Sequence, residues 1–198
     1  MLSNNSRILI IIPARADSKG LVGKNKLDFC GKPLIQYSFE IATQLGDFYS
    51  VETLVSTDDD DIQHMANSFI GDSGYRRPVN LSQDTTSMND TLNHAINWYR
   101  SRKNFDWILL LQPTSPLRTL KGMCDFIDKT LSSTNNEDYC FSTISPTKIN
   151  KYELVCFNSI DDSFTAIGDR SSNSHRQSSF GEEVFFEDGA GYLSSISF

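Results

Sequence analysis

The chain reads as an α/β protein built on a doubly wound, mainly parallel sheet, and three observations carry that reading. Arg7 to Ile12 and Trp107 to Leu111 are unbroken runs dominated by β-branched and leucine residues, as expected of strands buried on both faces. Such strands alternate along the chain with segments of helical period, the pattern of parallel sheets with crossover helices. At 198 residues the chain is the size of one domain and long enough to bury a sizeable core, so residues 1–198 are expected to form a single unit.

The first strand ends at Pro13 and is expected at the centre of the sheet. After a polar, glycine-containing stretch, Pro33 is placed in the first turn of a helix whose apolar face carries Ile35, Phe39 and Ala42, with Leu34, Ile41 and Leu45. Val51 to Ser56 gives a second strand, and Thr57-Asp58 is expected to cap a helix bearing Ile62, Met65, Ala66 and Phe69. Ser87 followed by Asp90 resembles a capping box, with Leu92, Ala95, Ile96 and Tyr99 recurring at helical spacing behind it. Thr119 is expected to cap a fourth helix with Met123, Phe126, Ile127 and Leu131 on one face. Beyond Asp138 the pattern changes to short strand-like pieces at Tyr139 to Ile144, Tyr152 to Phe157 and Phe164 to Ile167, an excursion from the main sheet. The serine-rich stretch from Asp169 to Gly181 reads as a mobile surface loop.

Charge and composition narrow the partners. Twenty-five acidic against 18 basic side chains give a net charge of −7, which disfavours nucleic acid or an anionic membrane and requires any bound anion to find a local basic pocket. The apolar run Ile8 to Ile12 is too short for a signal-peptide core or a membrane span, so a cytoplasmic protein is expected. Cys30, Cys124, Cys140 and Cys156 show no metal-ligand spacing and read as reduced, mostly buried residues. Asp58 to Asp61 read as a helix cap and dipole partner rather than a metal site, and His64, His94 and His175 are scattered.

In open α/β sheets ligands collect outside the carboxyl ends of the strands. Pro13-Ala14-Arg15-Ala16-Asp17-Ser18-Lys19-Gly20 places two cations, a hydroxyl and a glycine beyond the first strand, and Lys24-Asn25-Lys26 follows closely. The Walker A spacing is absent, yet backbone N–H groups and a lysine in such a turn suit a polyphosphate.

The stretch Ile11-Ile12-Pro13-Ala14-Arg15-x-x-Ser18-Lys19-Gly20-x-x-x-Lys24-Asn25, then Gly31-Lys32-Pro33-Leu34-Ile35, resembles the N-terminal signature of acylneuraminate (CMP-sialic acid) cytidylyltransferases. Ser56-Thr57-Asp58, Arg77-Pro78 with Leu81-Ser82-x-Asp84-Thr85, and Leu110 through Gln112-Pro113-Thr114-Ser115-Pro116-Leu117-Arg118-Thr119 resemble further motifs of that family, in order. The resemblance implies a Rossmann-like nucleotidyltransferase that joins CMP from CTP to the anomeric hydroxyl of an acidic nine-carbon sugar, releases pyrophosphate and uses Mg2+. Arg15, Lys19 and Asn25 are then the candidate catalytic residues, and with Ser18 and Lys24 they hold the triphosphate. The backbone near Ala14, together with Arg77 and the Thr86-Ser87 turn, is expected to recognise cytosine and ribose. Gln112, Arg176 and Tyr192 are the candidate sugar contacts.

The family excursion exchanges contacts between subunits, which implies a homodimer built by residues 142–179. Asp188, Phe186 and Met88 depart from the usual family residues. In the family a further segment bearing metal-binding aspartates lies beyond the position of Phe198, so no metal ligand is assigned here. Two alternatives remain: a cytidylyltransferase for another sugar acid, such as the eight-carbon acid of lipopolysaccharide, and a non-catalytic homologue that binds nucleotide or dimerises.

Overall fold

The computed structural model describes residues 6–16, 20–133, 140–146, 155–158, 163–166 and 185–195. Strand β1 (Arg7–Pro13) is followed by a short 3-10 turn at Lys24–Lys26, the two-residue strands β2 (Asp28–Phe29) and β3 (Lys32–Pro33), and helix α1 (Gln36–Leu45). Strand β4 (Ser50–Ser56), helix α2 (Asp60–Ile70), a 3-10 turn at Val79–Leu81, helix α3 (Met88–Arg100), strand β5 (Trp107–Leu110) and helix α4 (Leu120–Ser133) complete the alternation. Strands β6 (Cys140–Pro146), β7 (Val155–Asn158), β8 (Ser163–Ala166) and β9 (Phe185–Ser195) follow.

The main sheet runs in the order β4-β1-β5-β9-β6. Strand β1 pairs in parallel with β4, from Arg7 opposite Ser50 to Pro13 opposite Ser56, and with β5, from Ile8 opposite Trp107 to Ile11 opposite Leu110. Strand β9 runs antiparallel to β5, with Tyr192 opposite Leu110. The first strand is therefore interior, as its sequence requires, although β5 rather than β1 is the middle strand of the five.

The unbroken apolar run of β1 has a simple cause. Successive side chains of a strand point to opposite faces, and both faces here are covered. Ile8, Ile10 and Ile12 pack with Phe39 and Ala42 of α1, Ile62 of α2 and Ile127 of α4, whereas Leu9 and Ile11 meet Leu54, Tyr75 and Ala95 on the α3 side. Ile8 to Ile12 are each at most 1% exposed, so each contributes about 1.5–3 kcal/mol of apolar burial.

The chain divides into two compact units, 1–143 with 189–198, and 144–188. Within the second, β7 and β8 form an antiparallel ribbon from Val155 opposite Ala166 to Asn158 opposite Ser163. The dimer-building segment expected at 142–179 and the loop expected at 169–181 fall largely or wholly outside the described residues. No helix among the described residues is long and apolar enough to cross a membrane.

Local structure departs from expectation at three places. Pro33 lies in β3 rather than in a helix: Cys30 (φ 54°) and Gly31 (φ 91°) reverse the chain, pairing Lys32-Pro33 with Asp28-Phe29, and α1 begins at Gln36. The cap of α2 is Asp59, not Thr57-Asp58; its carboxylate accepts from the Asp61 and Ile62 N–H groups at 2.9 and 3.2 Å, while the Thr57 hydroxyl accepts from the Asp59 N–H. Cys30 is exposed on its tight turn, against the expectation of a buried cysteine, whereas Cys124 is half-buried and packs against the core. The caps expected at Ser87 and Thr119 are present, accepting from the Asp90 and Gly122 N–H groups.

Candidate functional site

Three parallel strands, β4, β1 and β5, end on the same edge, where the segments leaving β1 and β5, with Arg77 bonded to the end of β4, enclose a cavity of about 520 Å³. Pro13 and Arg15 enter it from β1, Gln112 to Thr114 from β5, and Lys24 and Asn25 from the 3-10 turn between them. Arg77, Asp84 and Thr86 close the wall toward α3. The cavity lies within the first compact unit.

Local geometry explains how these side chains are held. Gly23 adopts φ 64°, which lets the chain turn into the 3-10 segment, and the Asn25 amide donates to the Arg15 carbonyl at 3.3 Å. Asn25 is 5% exposed, and its own carbonyl accepts from the Ile35 N–H at 3.0 Å, so this asparagine ties the loop after β1 to the entry of α1. The two lysines beside it part company. Lys24 lines the cavity, whereas Lys26 forms ion pairs with Asp59 at 2.9 Å and Asp61 at 2.8 Å at the start of α2. The hydrogen bonds that Lys26 donates to Asp61 and Asp59 raise the pKa of its ammonium above the ordinary value. Burial opposes ionisation of Asp59, but Lys26 and the two backbone donors outweigh it and hold the carboxyl below the usual range.

Arg77 is buried, at 7% exposure. Its Nε donates to the Ser56 hydroxyl at 3.0 Å and its Nη2 to the Ser56 carbonyl at 2.6 Å, fastening the wall of the cavity to the end of β4. Burial is the main influence depressing its pKa, with Arg15 acting in the same direction and Asp58 opposing, yet a guanidinium stays charged. The Ala14 N–H donates to the same Ser56 carbonyl at 2.9 Å, and the Ala16 N–H to Asp58 at 2.9 Å, so β1 and β4 remain stitched together beyond their last paired residues. Arg15 pairs with Asp84 at 2.7 Å.

Of the sequence candidates, Arg15, Lys24, Asn25, Arg77, Thr86 and Gln112 line this one cavity, and Ala14 is buried immediately behind it. Ser87 does not line it: its hydroxyl accepts from the Asp90 N–H and donates to the Asp90 carboxylate, capping α3. Tyr192 is half-buried on β9 and is likewise absent from the cavity wall. Ser18, Lys19 and Arg176 lie outside the described residues.

Two participants had no role assigned from sequence. Asp84 belongs to a motif segment but declares its partner only in three dimensions. Arg118, at the end of the Gln112 segment, donates to the carbonyls of Gln112 and Ala190 and, at 3.1 Å, to the buried Ser38 hydroxyl. It thereby fixes the backbone of Gln112 against α1 and β9.

Chemically, the wall offers the cations Arg15, Lys24 and Arg77, the buried Asn25 amide and the hydroxyls of Thr86, Thr91 and Thr114 at the mouth of a parallel sheet, which is a setting for a phosphorylated ligand. Among the described residues no group of three His, Cys, Asp or Glu side chains is placed to hold a metal ion, and Asp84, the carboxylate in the wall, is paired with Arg15. These residues therefore do not by themselves form a metal site. Another cavity of about 430 Å³ opens at the free edge of β4, between Val51, Phe69 and Trp98. Its cations are engaged, Lys103 with Glu52 and Arg102 over the Trp98 ring, and none of the sequence candidates lines it.

Comparison with known proteins places this geometry in context. The family described as "Cytidylyltransferase" matches residues 9–173. An N-acylneuraminate cytidylyltransferase of Escherichia coli is 40% identical over 113 residues, covering 57% of this chain and 26% of that protein. A pseudaminic acid cytidylyltransferase of Campylobacter jejuni is 39% identical over 110 residues, covering 55% and 47%, respectively. A CMP-N,N'-diacetyllegionaminic acid synthase of Legionella pneumophila is 39% identical over 113 residues, covering 57% and 48%. These matches span about half the length of the curated relatives or less. A solved structure of CMP:2-keto-3-deoxy-manno-octonic acid synthetase complexed with CTP shares the fold, with a TM-score of 0.65 at 22% identity over 96% of this chain and 74% of that one.

Proposed function

This chain belongs to the cytidylyltransferase family, and from that premise we propose that it transfers CMP from CTP to the anomeric hydroxyl of a sialic-acid-like nine-carbon sugar acid, releasing pyrophosphate. The observation that carries the reading is the convergence of Arg15, Lys24, Asn25, Arg77, Thr86 and Gln112 on one cavity at the carboxyl ends of β1, β4 and β5. Relatives at 39–40% identity are named for sialic, pseudaminic and legionaminic acid activation, so a nonulosonic acid is the acceptor class this reading adopts.

Nucleotidyl transfer depends on holding the α-phosphate in line with the attacking oxygen and on neutralising charge as pyrophosphate departs. Arg15 and Lys24 supply positive charge at the end of β1, with Ser18 and Lys19 as further phosphate ligands in this reading. Asn25 is a positioning residue, since its amide holds the Arg15 backbone. Arg77 and Thr86, on the α3 side, are assigned to cytosine and ribose, with the Ala14 backbone and Ser87 nearby. Gln112, at the end of β5, faces the acceptor, and Arg176 and Tyr192 complete the sugar side of the proposal.

Magnesium enters this scheme as part of the substrate, Mg-CTP, and no step is assigned to a protein-bound ion. A homodimer and a cytoplasmic site of action complete the proposal.

The test is pyrophosphate release from CTP and magnesium across a panel of sialic, pseudaminic, legionaminic and eight-carbon sugar acids. Release with a nine-carbon acid that is reduced about 100-fold or more in Arg15→Ala supports the assignment. Release with the eight-carbon acid alone moves the chain to another acceptor, and CTP binding without release by any acid overturns the transferase.

A further inference from the structure

Arg15 is the cation that the proposed reaction asks to meet the triphosphate, yet its Nη2 lies 2.7 Å from the carboxylate of Asp84. Both side chains are partly exposed, 27% and 37%, and both line the same cavity. Among the described lining residues, Asp84 is the acidic one, beside the cations Arg15, Lys24 and Arg77. It sits between the 3-10 turn at Val79–Leu81 and the Ser87 cap of α3, on a segment separate from the loop carrying Arg15.

We propose that Asp84 is an internal anionic competitor for the phosphate site: its carboxylate occupies Arg15 in the free protein, and a polyphosphate must displace it to bind. This inference rests on the cavity being the nucleotide site. The physical argument is one of shared donors. A guanidinium presents a planar fork that suits either a carboxylate or a phosphate, and a phosphate chain brought onto Arg15 meets the Asp84 charge at close range. Repulsion between the two anions, in a cavity where Arg77 is buried and Lys24 half-buried, favours release of Asp84 as the phosphate arrives. When pyrophosphate leaves, the carboxylate is at hand to recapture Arg15, so the resting ion pair opposes rebinding of the departing polyanion.

The opposite role for the same carboxylate is to stay on Arg15 and orient the guanidinium toward the phosphate. The two roles predict opposite signs for one substitution, Asp84→Asn, which keeps the shape and removes the charge.

The experiment is calorimetric titration of wild type and Asp84→Asn with CTP, inorganic triphosphate and cytidine, at low and moderate salt, with thermal denaturation as the check on folding. Displacement predicts that Asp84→Asn binds CTP and inorganic triphosphate about three- to tenfold more tightly, a gain that shrinks as salt is raised, while cytidine affinity is unchanged. Asp84→Ser, which removes the charge with a different side chain, is expected to give the same direction of change. Weaker or equal triphosphate affinity in both variants overturns the competitor role, as does an equal change for cytidine. Tight triphosphate binding without any cytidine recognition by the wild type contradicts the nucleotide reading and leaves the Arg15–Asp84 competition standing. No triphosphate binding by either protein overturns both.

Discussion

Arg77 donates twice to one residue, Nε to the Ser56 hydroxyl at 3.0 Å and Nη2 to the Ser56 carbonyl at 2.6 Å, so a single buried side chain fastens the wall of the cavity to the last residue of β4. Lysine carries the charge but lacks the fork. Arg77→Lys is expected to lower stability by about 1–3 kcal/mol and to weaken CTP binding, because a buried Ser56 hydroxyl loses its donor and the wall loses its anchor. Urea unfolding and CTP titration of the same preparation check both effects; unchanged stability would show that Arg77 is not an anchor.

Arg118 reaches the Gln112 and Ala190 carbonyls and the Ser38 hydroxyl at once. Arg118→Ala is expected to cost about 2–4 kcal/mol, since three partly or fully buried acceptors lose a charged donor together. In the proposed reaction it also raises the acceptor KM more than the CTP KM, because Gln112 is the residue set loose. Equal effects on both substrates would point to general loosening of the sheet edge instead.

The Lys26–Asp59 pair makes stability depend on pH in a direction that can be worked out. The Asp59 carboxyl is held below its ordinary value, so its contribution is present above the unfolded pKa and is lost as pH falls through the folded one. The Lys26 ammonium is held above its ordinary value, so its contribution is complete below the unfolded lysine pKa and is lost only as pH rises past it. The pair therefore stabilises from about pH 5 to about pH 9. At pH 7, Asp59→Ala is expected to cost about 1–2 kcal/mol through the lost cap and ion pair, and the gap to wild type should narrow below about pH 4. Unfolding midpoints across that range provide the check.

Lys24 faces the cavity while Lys26, two residues on, is committed to α2, so charge removal at the two positions should have different consequences. Lys24→Ala is expected to weaken triphosphate binding at least threefold with little change in stability, and Lys26→Ala the reverse. Titration and thermal denaturation of both variants separate the two roles.

The parts of the fold legible in sequence were those governed by strong local rules. The β1 run from Ile8 to Ile12 is apolar without alternation because helices cover both of its faces, and the Ser87 and Thr119 caps follow from the need to satisfy the first N–H groups of a helix. Pro33 misled because a proline opening a helix and a proline in a short hairpin look alike until Cys30 and Gly31 take positive φ angles. The α2 cap moved by one residue because Thr57, Asp58 and Asp59 are all competent, and tertiary contacts decided: Ala16 claimed Asp58 and Lys26 claimed Asp59. Arg15 and Gln112 were legible because each closely follows a buried strand, whereas Lys24, Asn25, Arg77 and Thr86 were legible through the resemblance of their segments to a known family. The Arg15–Asp84 and Arg118–Ser38 contacts were not, since they join residues 69 and 80 positions apart and no periodicity records them.

A crystal structure of the protein with CTP would test whether the cavity at the ends of β1, β4 and β5 is the nucleotide site. The phosphates are expected against Arg15 and Lys24, with cytosine toward Arg77 and Thr86 and the Gln112 side left for the acceptor. Nucleotide bound instead at the free edge of β4, beside Trp98 and Phe69, or phosphates that approach neither Arg15 nor Lys24, would contradict the account.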